Sequence, residues 1–255
     1  MSRDVTQRFS DRVTNYVRYR PGYPADLIDT LRQQTKLSTS SVIADIGSGT
    51  GILTAILLPH ADTVFAVEPN EPMRAYAEST LRDNPRFRSI GAPAEATTLP
   101  DASVDLITVA QAFHWLDPVA ARREFARILK PSGHVALIWN ERLTDTTPFL
   151  RDYENLLKTA ATDYHQVNHM NIDHAAIASF YAPSSFQTFT FDNAQQFDRT
   201  GLIGRALSSS YVPNAGQPGH EAFLAGLNHL FDRHAVDGLV AFDYETKLHL
   251  GRLSV

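Results

Sequence analysis

Residues 41–51 read Ser41-Val42-Ile43-Ala44-Asp45-Ile46-Gly47-Ser48-Gly49-Thr50-Gly51, an apolar run that turns at once into alternating glycines. Rich in β-branched residues and bounded by glycine, the run predicts a buried strand. Ile52, Leu53, Ala55, Ile56 and Leu57 follow with a helical pattern as far as Pro59, whose ring breaks a helix. Glycine has no Cβ and accepts positive φ, so such a loop lets backbone approach a ligand closely at a helix start.

Outward from this loop the same rhythm recurs. Thr63 to Val67 predicts a second strand ending in Glu68-Pro69-Asn70, Glu71 to Leu81 a helix, Phe87 to Gly91 a third strand, and Val104 to Ala110 a fourth. Asp117-Pro118 supplies an N-cap with proline at the first helical position, Lys130-Pro131-Ser132-Gly133 ends that helix, and His134 to Trp139 is a fifth strand. Strands alternating with helices imply a parallel sheet covered on both faces. Beyond this block, Val5, Phe9, Val13, Tyr16 and Val17 predict an amphipathic helix over residues 3–18, followed by an irregular loop, Arg20-Pro21-Gly22-Tyr23-Pro24. Residues 148–182 are helical in pattern, Phe186 to Phe191 and Gly238 to Leu250 alternate as strands, and Arg199 to Ser210 and Gly219 to Arg233 read as helices.

Composition narrows the function classes. With 43% hydrophobic and 20% charged residues among 255, the chain can bury a real core, which excludes disorder as its main state. The net charge of -5 gives no global field for polyanions, so no nucleic-acid partner is expected. The absence of cysteine excludes disulfides, thiolate nucleophiles and thiolate metal sites. Met-Ser-Arg-Asp at the start lacks a secretory pattern and no apolar stretch approaches about 18 residues, so a cytoplasmic protein without a membrane partner is expected. Monomer and homodimer both stay open.

The loop also selects its ligand. A dinucleotide fingerprint wants Gly-x-Gly-x-x-Gly, whereas here Gly47, Gly49 and Gly51 alternate and Ile52 stands where the third glycine should fall. Asp45, two residues ahead, would repel a pyrophosphate but suits a ligand with positive charge, such as S-adenosylmethionine with its sulfonium and ammonium.

Asp45-Ile-Gly47-Ser48-Gly49-Thr-Gly51 resembles motif I of the class I S-adenosylmethionine-dependent methyltransferases, in their methyltransferase type 11 group. Glu68, about twenty residues on, stands where that family places a carboxylate for both ribose hydroxyls. Ala94-Glu95, followed by Leu99-Pro100-Asp101-Ala102-Ser103-Val104-Asp105, is similar to its adenine-contacting loop. Glu124, Arg127, Leu129, Lys130, Pro131 and Gly133 resemble its E-x-x-R-x-L-K-P-x-G helix end. Tyr16-Val-Arg-Tyr19-Arg20-Pro21-Gly-Tyr23-Pro24 and Gln111-Ala-Phe113-His114-Trp115 look like the trans-aconitate methyltransferase-like branch. The resemblance implies an α/β, Rossmann-like fold with a mostly parallel seven-stranded sheet in order 3-2-1-4-5-7-6, the last pair antiparallel, helices on both faces and a small helical cap. It implies one domain over 1–255, divided into a lid helix and loop (1–24), a cofactor-binding core (41–140), a cap insertion (141–185) and a completion of the sheet (186–255).

It further implies S-adenosylmethionine as cofactor, S-adenosylhomocysteine as product and a small-molecule acceptor, with a carboxylate or hydroxyl oxygen as candidate nucleophile. Cofactor contacts fall on Tyr16, Arg20, Asp45, Gly47, Ser48, Gly49, Gly51, Glu68, Pro69, Ala94, Glu95 and Gln111, and substrate contacts on Tyr19 and Trp115. Methyl transfer is an in-line displacement governed by alignment, so no catalytic residue is obligatory. His114, after the fourth strand, is the sole base candidate. Arg20, Arg142 and Arg205 would favour an acidic acceptor if they converge. His165, His169 and His174 lack the H-E-x-x-H pattern, and no metal is expected. The competing readings are RNA or protein modification and a cofactor-binding protein without turnover.

Overall fold

The computed structural model describes residues 17–160, 164, 174–209 and 211–253. Its strands are Val42–Ile46 (β1), Thr63–Val67 (β2), Phe87–Ile90 (β3), Val104–Ala110 (β4), Leu129–Arg142 (β5), Phe186–Phe197 (β6) and Val240–Gly251 (β7). They form one seven-stranded sheet in the order β3-β2-β1-β4-β5-β7-β6. Strands β1 to β5 run parallel, and β7 is antiparallel to both β5 and β6. The expected topology is thereby met.

The helices are Ala25–Thr35 (α1), Ile52–Leu57 (α2), Glu71–Leu81 (α3), Pro118–Ile128 (α4), Pro148–Ala160 (α5), His174–Tyr181 (α6), Arg199–Leu207 (α7) and His220–His234 (α8). Successive strand residues point to opposite faces, and both faces are covered. Ile43, Val64, Leu106, Ala136 and Ile138 meet Leu27, Ile28 and Leu31 of α1, Leu53 and Leu57 of α2 and Ala77 of α3. Ala44, Ile46, Ile107, Val109, Val135 and Leu137 meet Ala121 and Phe125 of α4 and Ile177 and Phe180 of α6. At the lower edge, Asp105 Oδ2 accepts from the Val42 N–H and pairs with Lys130 Nζ, both at 2.8 Å, which ties β1, β4 and β5 together.

A third core lies apart from these two, built from α5, α7, α8 and the ends of β6 and β7: Phe149, Tyr153, Leu157, Leu202, Phe223, Leu227, Phe242 and Tyr244. It exists because β6 and β7 pair over twelve residues each, from Phe186↔Gly251 to Phe197↔Val240, and so outrun the shorter parallel strands. The sequence predicts β6 only as far as Phe191, because the polar run Asp192 to Gln196 conceals its continuation. Strand β5 is likewise longer than predicted. Helix α4 stops at Ile128, and pairing slips between Val104↔Leu129 and Leu106↔His134, so Lys130–Gly133 belong to an irregular strand start.

Residues 17–24 lie as a strap against this third core. Asn140 Nδ2 and Asn193 Nδ2 both donate to the Gly22 carbonyl at 3.0 Å, Gln195 Nε2 donates to the Tyr19 carbonyl, and Arg20 Nη2 to the Ser208 carbonyl at 3.1 Å. The predicted helix over 3–18 falls almost wholly outside the described residues.

Candidate functional site

A crevice of about 320 Å³ opens at the carboxyl ends of β1, β2 and β4, where open α/β sheets hold their ligands. A small recess of about 40 Å³ adjoins it on the other side of the glycine loop. Gly47 and Gly49 border both openings, with φ of +66° and +56°, a conformation that L side chains rarely adopt. A Cβ on Gly47 would lie 2.5 Å from the Ala112 Cβ, so the loop and the exit of β4 approach as closely as backbone allows. At Gly49 the nearest atom to such a Cβ is Met73 Sδ at 3.9 Å, so its missing side chain leaves room for a ligand.

Two carboxylates stand at these openings. Glu68 leaves β2 into the crevice and is 7% exposed. Its Oε2 accepts from the Gly49 N–H at 2.9 Å and its Oε1 from the Asn70 N–H at 2.7 Å, which fixes the carboxylate and leaves it lone pairs to spare. Burial pushes the Glu68 pKa up, against the pull of those two donors. Asp45, at the end of β1, borders the recess and is 1% exposed. Thr54 Oγ1 donates to Oδ2 at 2.6 Å and Thr108 Oγ1 to Oδ1 at 2.8 Å. Burial raises the Asp45 pKa from 3.8 to about 6, the two hydroxyls resist, and the nearby Glu68 adds to the rise. Neither carboxylate has an ion-pair partner among the described residues. Thr50 Oγ1, on the loop beside them, is buried without a hydrogen-bond partner. Two desolvated acids and an orphaned hydroxyl fit a ligand that brings positive charge and hydroxyl groups.

The far wall comes from two loops. Pro93, Ala94 and Glu95 follow β3, and Glu95 Oε1 accepts from the Asp117 N–H at 2.9 Å. Glu124 on α4 holds this loop by accepting from the Thr97 N–H at 2.8 Å and the Thr97 hydroxyl at 2.5 Å. Hydrogen bonds from Arg127 and Thr97 depress the Glu124 pKa to about 2. Gln111, with φ +56°, bends the chain out of β4 so that Ala112, Trp115 and Leu116 form the remaining wall, and its Nε2 donates to the Asn140 carbonyl at 3.1 Å.

Of the expected cofactor residues, Gly47, Gly49, Glu68, Pro69, Ala94, Glu95 and Gln111 line the crevice, with Trp115 beside them, while Asp45 and Ser48 line the recess. Gly51 lines neither. Its φ of +84° begins α2, and a Cβ there would meet Leu81 Cδ1 at 2.8 Å and Ala77 Cβ at 3.3 Å, so glycine serves the packing of α2 on α3. Tyr19 also lies elsewhere, 9% exposed with its ring pressed on Gly204. Arg20 borders neither opening and binds the Ser208 carbonyl, while its neighbour Tyr23 reaches the recess. His114 is exposed over part of its surface, although burial of its ring lowers its pKa from 6.5 to about 4, and it lies against Trp115, ring centroids 4.6 Å apart, off the crevice lining. Tyr16, His165 and His169 are outside the described residues. No described residue of 141–185 lines either opening, and no described His, Asp and Glu side chains form a group able to hold a metal. Asn70, Met73, Thr50 and Tyr23 are lining residues that motif reading did not single out. Asn70 carried a local signal, since it precedes Glu71-Pro72 and caps α3 by accepting from the Met73 N–H.

Comparison with known proteins agrees with this geometry. The family described as "Methyltransferase domain" matches residues 44–137. An uncharacterized methyltransferase of Mycobacterium tuberculosis is 39% identical over 140 residues, 55% of this chain and 55% of its own length. Another, from Schizosaccharomyces pombe, is 30% identical over 158 residues, 60% of each chain. The chain thus spans a little over half the length of these curated relatives. A solved structure from Anaeromyxobacter dehalogenans superposes with a TM-score of 0.68 at 23% identity, covering 93% of this chain and 100% of the other, which shows a shared fold. The segment 44–137, which matches this family, is also the part of the chain that carries β1 to β4 and the glycine loop.

Proposed function

We propose that the chain binds S-adenosylmethionine in the crevice and transfers its methyl group to a small-molecule acceptor. The observation that carries this reading is the pair of buried carboxylates, Asp45 and Glu68, that flank the glycine loop with no direct ion pair among the described residues, Arg74 reaching only the backbone carbonyl of Glu68. Glu68 suits the ribose hydroxyls, because its fixed oxygens keep lone pairs that face the crevice. Glu95 and the Ala94 backbone suit the adenine, and Asp45, Thr50 and the loop from Gly47 to Gly49 suit the amino-acid end. Bound there, S-adenosylmethionine supplies a methyl group on a sulfonium that departs to a nucleophile in line.

The chain's own contribution is alignment and exclusion of water. Gln111, Ala112, Trp115 and Leu116 wall the crevice, and Tyr23 of the strap closes the recess. Alignment of this kind is worth about 7 to 11 kcal/mol in principle. A net charge of -5 speaks for a small acceptor over a nucleic acid. No helix among the described residues is long and apolar enough to cross a membrane.

Calorimetric titration with S-adenosylmethionine and S-adenosylhomocysteine tests the reading. Saturable binding of both at one site is expected, and absence of heat from either ligand with folded protein rejects it.

A further inference from the structure

The Gly22 carbonyl, one residue ahead of Tyr23, is held by two side-chain amides from different strands. Asn140 Nδ2 of β5 and Asn193 Nδ2 of β6 each donate to it at 3.0 Å, which occupies both lone pairs of that oxygen. The amides are themselves fixed. Asn140 Oδ1 accepts from Thr246 Oγ1 of β7 at 2.5 Å and from Asn193 Nδ2 at 3.2 Å, so the three residues form one cluster across the last three strands. Asn140 is 3% exposed and Thr246 is fully buried. A buried polar cluster is tolerated only when its members are paired, and the strap supplies the carbonyl that pairs these amides. No atom lies within 4 Å of the place a Gly22 Cβ would take, so hydrogen bonds, not close packing, hold the strap at this point.

The cluster reaches both openings. On one side Tyr23, next to the clamped carbonyl, borders the recess together with Asp45, Ser48 and Thr50. On the other, the main-chain carbonyl of Asn140 accepts from Gln111 Nε2 at 3.1 Å, and Gln111 lines the crevice. The Gln111 N–H also donates to the Ile138 carbonyl at 2.9 Å, so the bent exit of β4 is secured to β5 by backbone and side chain alike. Two hydrogen bonds of one residue, Asn140, thus link the crevice wall to the strap.

We propose that Asn140 and Asn193 are positioning residues for the methyl donor. By clamping Gly22 they set Tyr23 over the recess that takes the donor's amino-acid end, and through Gln111 they tie that closure to the crevice wall. Neither amide lines an opening, so both act through Tyr23 and Gln111. The inference rests on the methyltransferase reading above and divides its site in two: the clamp serves the amino-acid end, and the adenosine end at Glu68 and Glu95 is independent of it.

Two ligands separate these ends. S-adenosylhomocysteine has both, whereas methylthioadenosine keeps the adenosine and lacks the amino-acid end. In calorimetric titration, Asn193→Ala should weaken S-adenosylhomocysteine about five- to tenfold and leave methylthioadenosine within about twofold of wild type. Asn193 is the position to change because it is half-buried on the edge strand, whereas loss of the Asn140 side chain would strand Thr246 in the interior. Tyr23→Ala should show the same selectivity, and in the double variant the two losses should not add, because Asn193 acts through Tyr23. Equal weakening of both ligands, wild-type affinity for S-adenosylhomocysteine in folded Asn193→Ala, or additive losses in the double variant would overturn the proposal. A lower melting temperature with both affinities unchanged marks a purely structural cluster and overturns it too. Where wild type binds methylthioadenosine too weakly to titrate, the double variant decides. Failure of the wild type to bind S-adenosylhomocysteine sinks the methyltransferase reading and this inference with it.

Discussion

Around the glycine loop the buried charges are carboxylates, Asp45 and Glu68, whereas in the core beyond β5 they are two guanidiniums, Arg142 and Arg205, and a single carboxylate, Glu154, paired with Arg142. Both regions desolvate ionisable groups, but of these only Asp45 and Glu68 border a described opening. Desolvation is costly, so an unanswered buried charge at an opening is kept where a ligand supplies the counter-charge. The two regions also differ in how widely they are shared. The methyltransferase family match covers residues 44–137, which hold both carboxylates and neither Arg142 nor Arg205. The family match thus includes the region of the two carboxylates and stops short of the region of the two arginines.

The sharpest break in the first region is Gly47→Ala. It places a Cβ 2.5 Å from the Ala112 Cβ on a residue with φ +66°, at a cost of about 2 to 4 kcal/mol. Thermal unfolding should fall by roughly 5 to 15 °C, and calorimetry should detect no binding of S-adenosylhomocysteine.

Asp45→Asn separates stability from binding. Because the folded chain raises this carboxyl from 3.8 to about 6, it holds the proton more tightly than the unfolded chain does. Stability from this group is therefore greatest below pH 3.8, declines as pH rises to about 6, and stays lower above, by about 3 kcal/mol. The asparagine variant should unfold at a higher temperature than the wild type at pH 7, lose that dependence between pH 4 and 6, and bind S-adenosylmethionine about tenfold more weakly. In the wild type, affinity for the cationic donor should fall as pH drops below about 6. An unchanged affinity in the variant would remove Asp45 from the site.

A smaller effect belongs to Glu124→Gln. The Glu124 pKa is depressed to about 2, so its stabilising contribution is present above its unfolded value of 4.5 and fades as pH falls toward 2. Its partner Arg127 is 38% exposed, so after discounting for screening the loss at pH 7 is on the order of 1 kcal/mol. Hydrogen exchange should quicken at Thr97 and its neighbours, and denaturant unfolding at pH 3 should no longer distinguish variant from wild type as clearly as at pH 7. The smallest effect is expected of His114→Ala, which should change methyl transfer less than threefold because the ring lies outside the crevice lining.

What the sequence discloses follows the same division. Strands β1, β2 and β4 are legible because each is a short, largely apolar run, β3 because Phe87 and Ile90 precede Gly91, and the acids at the ends of β1 and β2 stand at fixed distances from the loop. Local spacing fails where one residue type serves two ends. Gly51 continues the alternation of Gly47 and Gly49, yet it is demanded by Ala77 and Leu81 on α3. Helix α1 carries Leu27, Ile28 and Leu31 on one face but has no side-chain cap behind Pro24, so nothing marks its start. Tyr19 and Arg20 find their partners at Gly204 and Ser208, the latter 188 residues away, a distance at which spacing carries no information. The charge balance of Arg205 is invisible for the same reason, since it depends on which aromatic residues and acids the fold gathers around it.

The central claim is that Glu68 holds the methyl donor through its ribose. Titration of wild type and Glu68→Ala with S-adenosylhomocysteine tests this directly. Loss of a buried, charged acceptor of ligand hydroxyls should weaken binding by about 2 to 3 kcal/mol, roughly 30- to 150-fold, with the unfolding temperature lowered by only a few degrees. Equal affinity in the two proteins would contradict the account.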